Sequence, residues 1–186
     1  MKLEDLDDSF IIDLRYARDD NFFGKAMYPV AVCAIKRETG EKLVKAHGIF
    51  KKDGYTIKVW DAYRPLHVQR ELYEVFPHNT FVAKPPEIPI TSGFKPRHNN
   101  GMSVDVTLVD SEGQEIEMPS EFDDFTEKAS PTSEEMTPRA RENVNYLIEV
   151  MESVGFKNHG KEWWHFSDII EIPSPYLDIP LQEFLK

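Results

Sequence analysis

His98-Asn-Asn-Gly101-Met-Ser103-Val-Asp105-Val-Thr-Leu-Val109 is the stretch from which the fold can be read. From Ser103 onward, polar and apolar residues alternate, the period of a strand with one buried face. Val104, Val106 and Leu108 share one side, and Ser103, Asp105 and Thr107 share the other. The acid therefore projects from a rigid element, opposite its hydrophobic anchors. Gly101 supplies a turn that could bring His98 back beside it. Far downstream, Glu162-Trp-Trp-His165 sets a second imidazole three residues after an acid, among aromatics able to exclude water. Two histidines and a carboxylate, with a spare glutamate, are the parts of an open zinc site of the hydrolytic kind. Taken alone, His98 and Asp105 also read as a buried hydrogen-bonded pair beside a turn.

Working outward, Tyr55-Thr-Ile-Lys-Val-Trp60 alternates and predicts a second strand, which runs into Asp61-Ala-Tyr-Arg64-Pro65. Pro65 suits the first turn of a helix that buries Val68, Leu72, Val75 and Phe76 and stops at Pro77. An earlier helix occupies part of residues 31–52 and ends near Gly54. Thr137-Pro138 pairs a capping hydroxyl with proline at the first helical position. Ala140, Val144, Leu147, Ile148 and Met151 then mark one face down to Gly155. Residues 1–30 read as irregular and rich in rings (Tyr16, Phe22, Phe23, Tyr28). Residues 77–97 hold five prolines and Gly93 and read as a long loop, and loops of that length in small domains often serve function. After the strand at 103–109, Asp110-Ser-Glu-Gly113 signals a turn and a short return strand through Ile116. Residues 118–136 form an acidic loop anchored by Phe122 and Phe125, and a strand spans residues 163–166. The fold expected is a single α+β domain over residues 1–186: a small, mostly antiparallel sheet with packed helices and a zinc site on its open face.

Composition sets bounds. A chain of 186 residues with 40% hydrophobic and 12% aromatic content is long enough to bury a real core. A net charge of −11 argues against nucleic acid or an anionic membrane surface as partner. No run approaches the ~18 apolar residues of a membrane span. The one cysteine, Cys33, allows no internal disulfide, and the acidic N-terminus does not resemble a secretion signal. A cytoplasmic setting is the expectation.

Asp61-Ala-Tyr-Arg64-Pro65, then His98 with Gly101 and Asp105, then Glu162-Trp-Trp-His165 resemble the ordered motifs of the D-alanyl-D-alanine dipeptidases, relatives of D,D-carboxypeptidases. The opening Arg15-Tyr16-Ala-Arg-Asp-Asp-Asn21-Phe22-Phe-Gly24-Lys25 and Met118-Pro-Ser-Glu-Phe122-Asp123 are similar to that family too, so the likeness covers nearly the whole chain in order. The resemblance implies one Zn2+ per chain on His98, Asp105 and His165. It implies Glu162 as general base and Arg64 as an aid to the transition state. Tyr16 and Asp123 would line the substrate pocket, with Asp123 facing the dipeptide ammonium. Two positions depart from the pattern: Pro96 stands where the family carries a serine, and Ser103 where it carries an alanine. The proline removes a hydroxyl and a backbone donor beside the substrate.

The implied function is hydrolysis of D-alanyl-D-alanine, a small dipeptide substrate, to two D-alanines. A D,D- or L,D-carboxypeptidase or endopeptidase acting on peptidoglycan stems is an alternative, and a non-catalytic zinc-binding module is another. Glu162 and Arg64 together weigh against the module, which needs neither. Glu162 and His165 are three apart, so an ideal strand would point them to opposite faces. A bulge, turn or strand end at Trp163–Trp164 is therefore predicted. The plainer readings are a salt bridge to Asp61 for Arg64, a solvated charge for Asp123, and a core aromatic for Tyr16. His47, His67, His78 and His159 read as structural or exposed residues.

Overall fold

The computed structural model describes residues 1–77, 81–85, 97–171 and 177–186. Pro96, His78 and most of the expected 77–97 loop lie outside the described residues.

The chain forms a single α+β domain with five strands in one mixed sheet. In sequence order these are β1 (Ile11–Ile12), β2 (Thr56–Asp61), β3 (Ser103–Val109), β4 (Phe156–Asn158) and β5 (His165–Asp168), lying side by side as β1-β2-β3-β5-β4. Only β1 with β2 pairs in parallel; the other pairings are antiparallel. Among the described residues, three helices pack with the sheet: α1 (Arg37–Lys52), α2 (Leu66–Val75) and α3 (Pro138–Ser153).

Each helix follows from its sequence. Leu43, Ala46 and Phe50 recur at helical spacing on α1 and are fully buried. Thr137 caps α3, its Oγ1 accepting from the Ala140 amide at 3.0 Å, a contact worth about 1 kcal/mol. Ala140, Val144, Leu147 and Met151 face the core as expected. On α2, Val68 and Leu72 are buried, each gaining roughly 1.5–3 kcal/mol relative to exposure. Val75 does not join them: it is 52% exposed, because the helix ends there and turns its last residue outward.

Three strand expectations need correction. β3 is not half-buried, since all seven of its residues are buried. The 115–121 segment covers Thr107 on its polar side, and His98 and Arg64 come within 4.0 Å of Asp105. The return strand through Ile116 is reduced to one bridge, Val109 to Glu115. Two short strands went unforeseen, β1 within the irregular N-terminal region and β4 directly after Gly155. At two and three residues, neither is long enough to show a period.

Candidate active site

The sheet register builds the centre of the site. Asp105 pairs with His165 across the β3–β5 ladder, so two side chains 60 residues apart in sequence meet on one face. His98 arrives from a 3-10 turn, Arg97–Asn100, just ahead of β3. Gly101 closes that turn at φ +71, and a Cβ there would sit 3.0 Å from the Lys36 amide nitrogen, so glycine is required on both counts. The turn is tied to the Arg64 backbone: Arg64 N–H donates to the His98 carbonyl at 3.2 Å, and the Asn99 side chain donates to the Arg64 carbonyl at 2.7 Å. Arg64 and His98 are thus placed by one another.

The resulting distances are short. His165 Nδ1 lies 2.9 Å from Asp105 Oδ1, His98 Nε2 lies 3.4 Å from the same oxygen, and the two ring nitrogens are 3.1 Å apart. One ligand atom from each residue falls within 4.8 Å of the others. Tetrahedral coordination with bonds of ~2.0–2.1 Å sets ligand atoms about 3.3 Å apart, so this donor set fits a zinc ion in chemistry and spacing. The outer nitrogen of His98, Nδ1, is 2.6 Å from the Ala62 carbonyl. Donation there directs the Nε2 lone pair toward the cluster. Burial alone would push the Asp105 carboxyl up. With no metal bound, the charge of His98 and hydrogen bonds from both imidazoles outweigh it and hold the carboxyl well below the usual range.

A cavity of about 330 Å³ opens over this cluster, lined also by Glu162, Arg64, Tyr16 and Asp123. The predicted turn is present: Trp163 and Trp164 form it, with the His165 amide bonded to the Glu162 carbonyl at 3.2 Å. It brings Glu162 and His165 onto the same pocket. Burial is the main effect that raises the Glu162 carboxyl to about 7; Asp105 and Asp123 add to it, and His165 opposes.

Arg64 does form the salt bridge to Asp61 that its plainer reading required, yet Asp61 is fully buried behind it and Arg64 itself lines the pocket. The guanidinium donates through Nε and Nη2 to Asp61 Oδ2 at 3.0 and 2.7 Å, and through Nη1 to Gln69 Oε1 at 2.9 Å. It also stacks over the Tyr16 ring, 5.0 Å from the centroid. Asp123 is no solvated charge. Its backbone is left-handed (φ 59), its Oδ1 accepts from Tyr16 Oη at 3.2 Å, and its buried Oδ2 has no hydrogen-bond partner among the described residues. Burial first, and then the charge of Asp105, raise this carboxyl to about 7.

Sequence reasoning missed several residues here. Gln69 spans Arg64 and the Ala83 carbonyl, which its Nε2 reaches at 2.8 Å. Phe81 and Phe125 stack at 5.3 Å on the pocket wall. His159 also lines the pocket, with Nε2 2.9 Å from Ser167 Oγ. Burial, then the charges of His165 and Arg97, push His159 down to about 4, so it is neutral at pH 7. Its place in the turn after β4, facing β5, could not be seen without β4.

An α+β chain with a buried His-Asp-His cluster on its sheet face, and a raised glutamate and an anchored arginine in one cavity, has the outline of a metallopeptidase. The family model for D-ala-D-ala dipeptidases matches residues 1–184, and the chain belongs to that family. It is 32% identical over 155 residues to the D-alanyl-D-alanine dipeptidase of Escherichia coli, covering 83% of this chain and 77% of that one. It is 30% identical over 185 residues to the dipeptidase of Enterococcus faecium, covering 91% and 92%. Among solved structures, a vancomycin resistance D,D-pentapeptidase in complex with Zn(II) aligns over 82% of this chain and 84% of that one, at 16% identity and a TM-score of 0.43.

Proposed function

We propose that this chain is a zinc-dependent dipeptidase that hydrolyses D-alanyl-D-alanine to two D-alanines. The observation that carries the reading is the convergence of His98 Nε2, Asp105 Oδ1 and His165 Nδ1 within one cavity that Glu162 and Arg64 also line. Family membership supports the substrate class. The cavity's size supports a small substrate, since about 330 Å³ is near the lower end of the ~300–1,000 Å³ common for ligand sites.

His98, Asp105 and His165 would hold the zinc, which would supply Lewis acidity toward the scissile carbonyl and toward water. Glu162, whose carboxyl burial raises to about 7 in the metal-free chain, accepts the proton of the attacking water and returns it to the leaving amine. Arg64 is fixed on three sides by Asp61, Gln69 and Tyr16. Its charge is therefore preorganised for the oxyanion and needs no rearrangement during reaction. Asp123, with one oxygen on Tyr16 and the other unpartnered, is built to take the substrate ammonium. A cytoplasmic setting goes with this reading, on the ground of a single cysteine, buried and unpaired.

A panel of dipeptides of both chiralities, assayed with and without a chelator, tests the reading. Chelator-sensitive release of alanine from D-Ala-D-Ala alone is the expected result. Equal turnover of L-Ala-L-Ala, or full activity in chelator, contradicts it.

A further inference from the structure

Two residue pairs along the β3–β5 ladder from Asp105 and His165, past Val104 and Phe166, the register places Ser103 opposite Ser167. Because side chains alternate with period 2, these four residues share one face: a carboxylate–imidazole rung and, beside it, a hydroxyl–hydroxyl rung. The two serine oxygens are 2.7 Å apart, and both residues are buried. Ser167 Oγ also lies 3.4 Å from His165 Nε2 and 2.9 Å from His159 Nε2.

The donor count closes. With Nδ1 as the ligand atom, neutral His165 carries its one N–H on Nε2, which faces Ser167 Oγ. A serine hydroxyl has one proton to give and two lone pairs to fill. Ser167 accepts from His165 Nε2–H and from the Ser103 hydroxyl, and donates its own proton to His159 Nε2. Every partner is then satisfied. His98, by contrast, rests its outer nitrogen on a backbone carbonyl, which no substitution removes.

We propose that the Ser103–Ser167 rung, capped by His159, is the outer support of His165, and that both serines are positioning residues that aim Nδ1 at the metal. This rests on the metal-site reading given above and adds residues that the reading does not use. Metal sites typically lose 10–100-fold in affinity when the hydrogen bond on a ligand histidine's outer nitrogen is cut.

The test is zinc affinity of the purified chain, measured by competition with a chromophoric chelator at fixed pH. Ser167→Ala is expected to weaken zinc about 10–100-fold, and Ser103→Ala to weaken it to a smaller extent. Ser167→Thr, which keeps a hydroxyl, should recover most of the loss. Thr107→Val, on the same face of β3 but with an Oγ1 that makes no hydrogen bond among the described residues, should bind like the parent. Parental affinity in both serine-to-alanine variants, or equal loss in Thr107→Val, overturns the inference. If Ser167→Ala does not fold, Ser103→Ala, which leaves Ser167 in place, decides alone. Asp105→Asn separates the two ideas: should it leave zinc affinity unchanged, the metal site itself has been misassigned, and the support falls with it.

Discussion

Asp61 lies directly across the β2–β3 ladder from Asp105, past a register shift between Val59 and Asp61, and the guanidinium of Arg64 stands between the two carboxylates. Like charges directly opposed in a sheet repel. Here Arg64 Nη2 is 2.7 Å from Asp61 Oδ2 and 4.0 Å from Asp105 Oδ2, so one buried cation serves both acids. The residue proposed to steady the oxyanion also holds the sheet together beneath it.

Arg64→Met should therefore fail in two ways. Turnover should fall by on the order of 10²–10³, as when a preorganised oxyanion donor is removed. Stability should fall by roughly 3–5 kcal/mol, because Asp61 is left charged and buried. Adding Asp61→Asn should return much of the stability, read from the urea midpoint, while kcat stays low. Recovery of activity in the double variant would show that Arg64 is structural only.

Asp123 has a stability cost that pH exposes. Its folded-state pKa, about 7, is above the ordinary carboxyl value of ~3.9. Between those values the folded chain keeps a proton that the unfolded chain has released, so stability falls as pH rises from about 4 to 7 and then levels. In metal-free protein, Asp123→Asn should be more stable than the parent at pH 8, by no more than about 4 kcal/mol at ~1.36 kcal/mol per pKa unit. The gain should vanish near pH 4, and KM for D-Ala-D-Ala should rise sharply. A variant no more stable than the parent at pH 8 would mean that the carboxyl is solvated.

The pH dependence of kcat/KM should show an acidic limb as Glu162 protonates, lying below the metal-free value of about 7 because a bound cation favours the carboxylate. Glu162→Gln should lower the rate by roughly 10²–10⁴ and abolish the limb. A limb that survives in the variant assigns the titration to another group.

Pocket size makes a prediction about chain length. With Phe81, Phe125 and Trp164 along its wall, the cavity should accept D-Ala-D-Ala and reject longer peptides ending in the same pair. Competition between the dipeptide and such a longer peptide checks this, and faster cleavage of the longer one would favour a carboxypeptidase.

What the sequence disclosed, and what it hid, follow from range. The alternation of residues 103–109 and the Thr137-Pro138 cap are local signals, and the structure has β3 and α3 where they predict. The Glu162-x-x-His165 spacing required a turn, and the turn is present. β4 and β1 carry no local period, and they form because neighbouring strands offer an edge. The burial of the polar face of β3 depends on segments far away in sequence. Gln69 bonds Arg64 only five residues away, but no helical period marks that contact. The Ser103–Ser167 rung needed the β3–β5 register, which no single strand specifies.

The central claim is that His98, Asp105 and His165 hold a divalent ion together. A crystal of zinc-loaded protein, with anomalous scattering recorded at the zinc edge, tests it most directly. The account predicts one strong peak within about 2.0–2.2 Å of His98 Nε2, an Asp105 carboxylate oxygen and His165 Nδ1. A zinc peak on other residues, or none in this cavity, would contradict it.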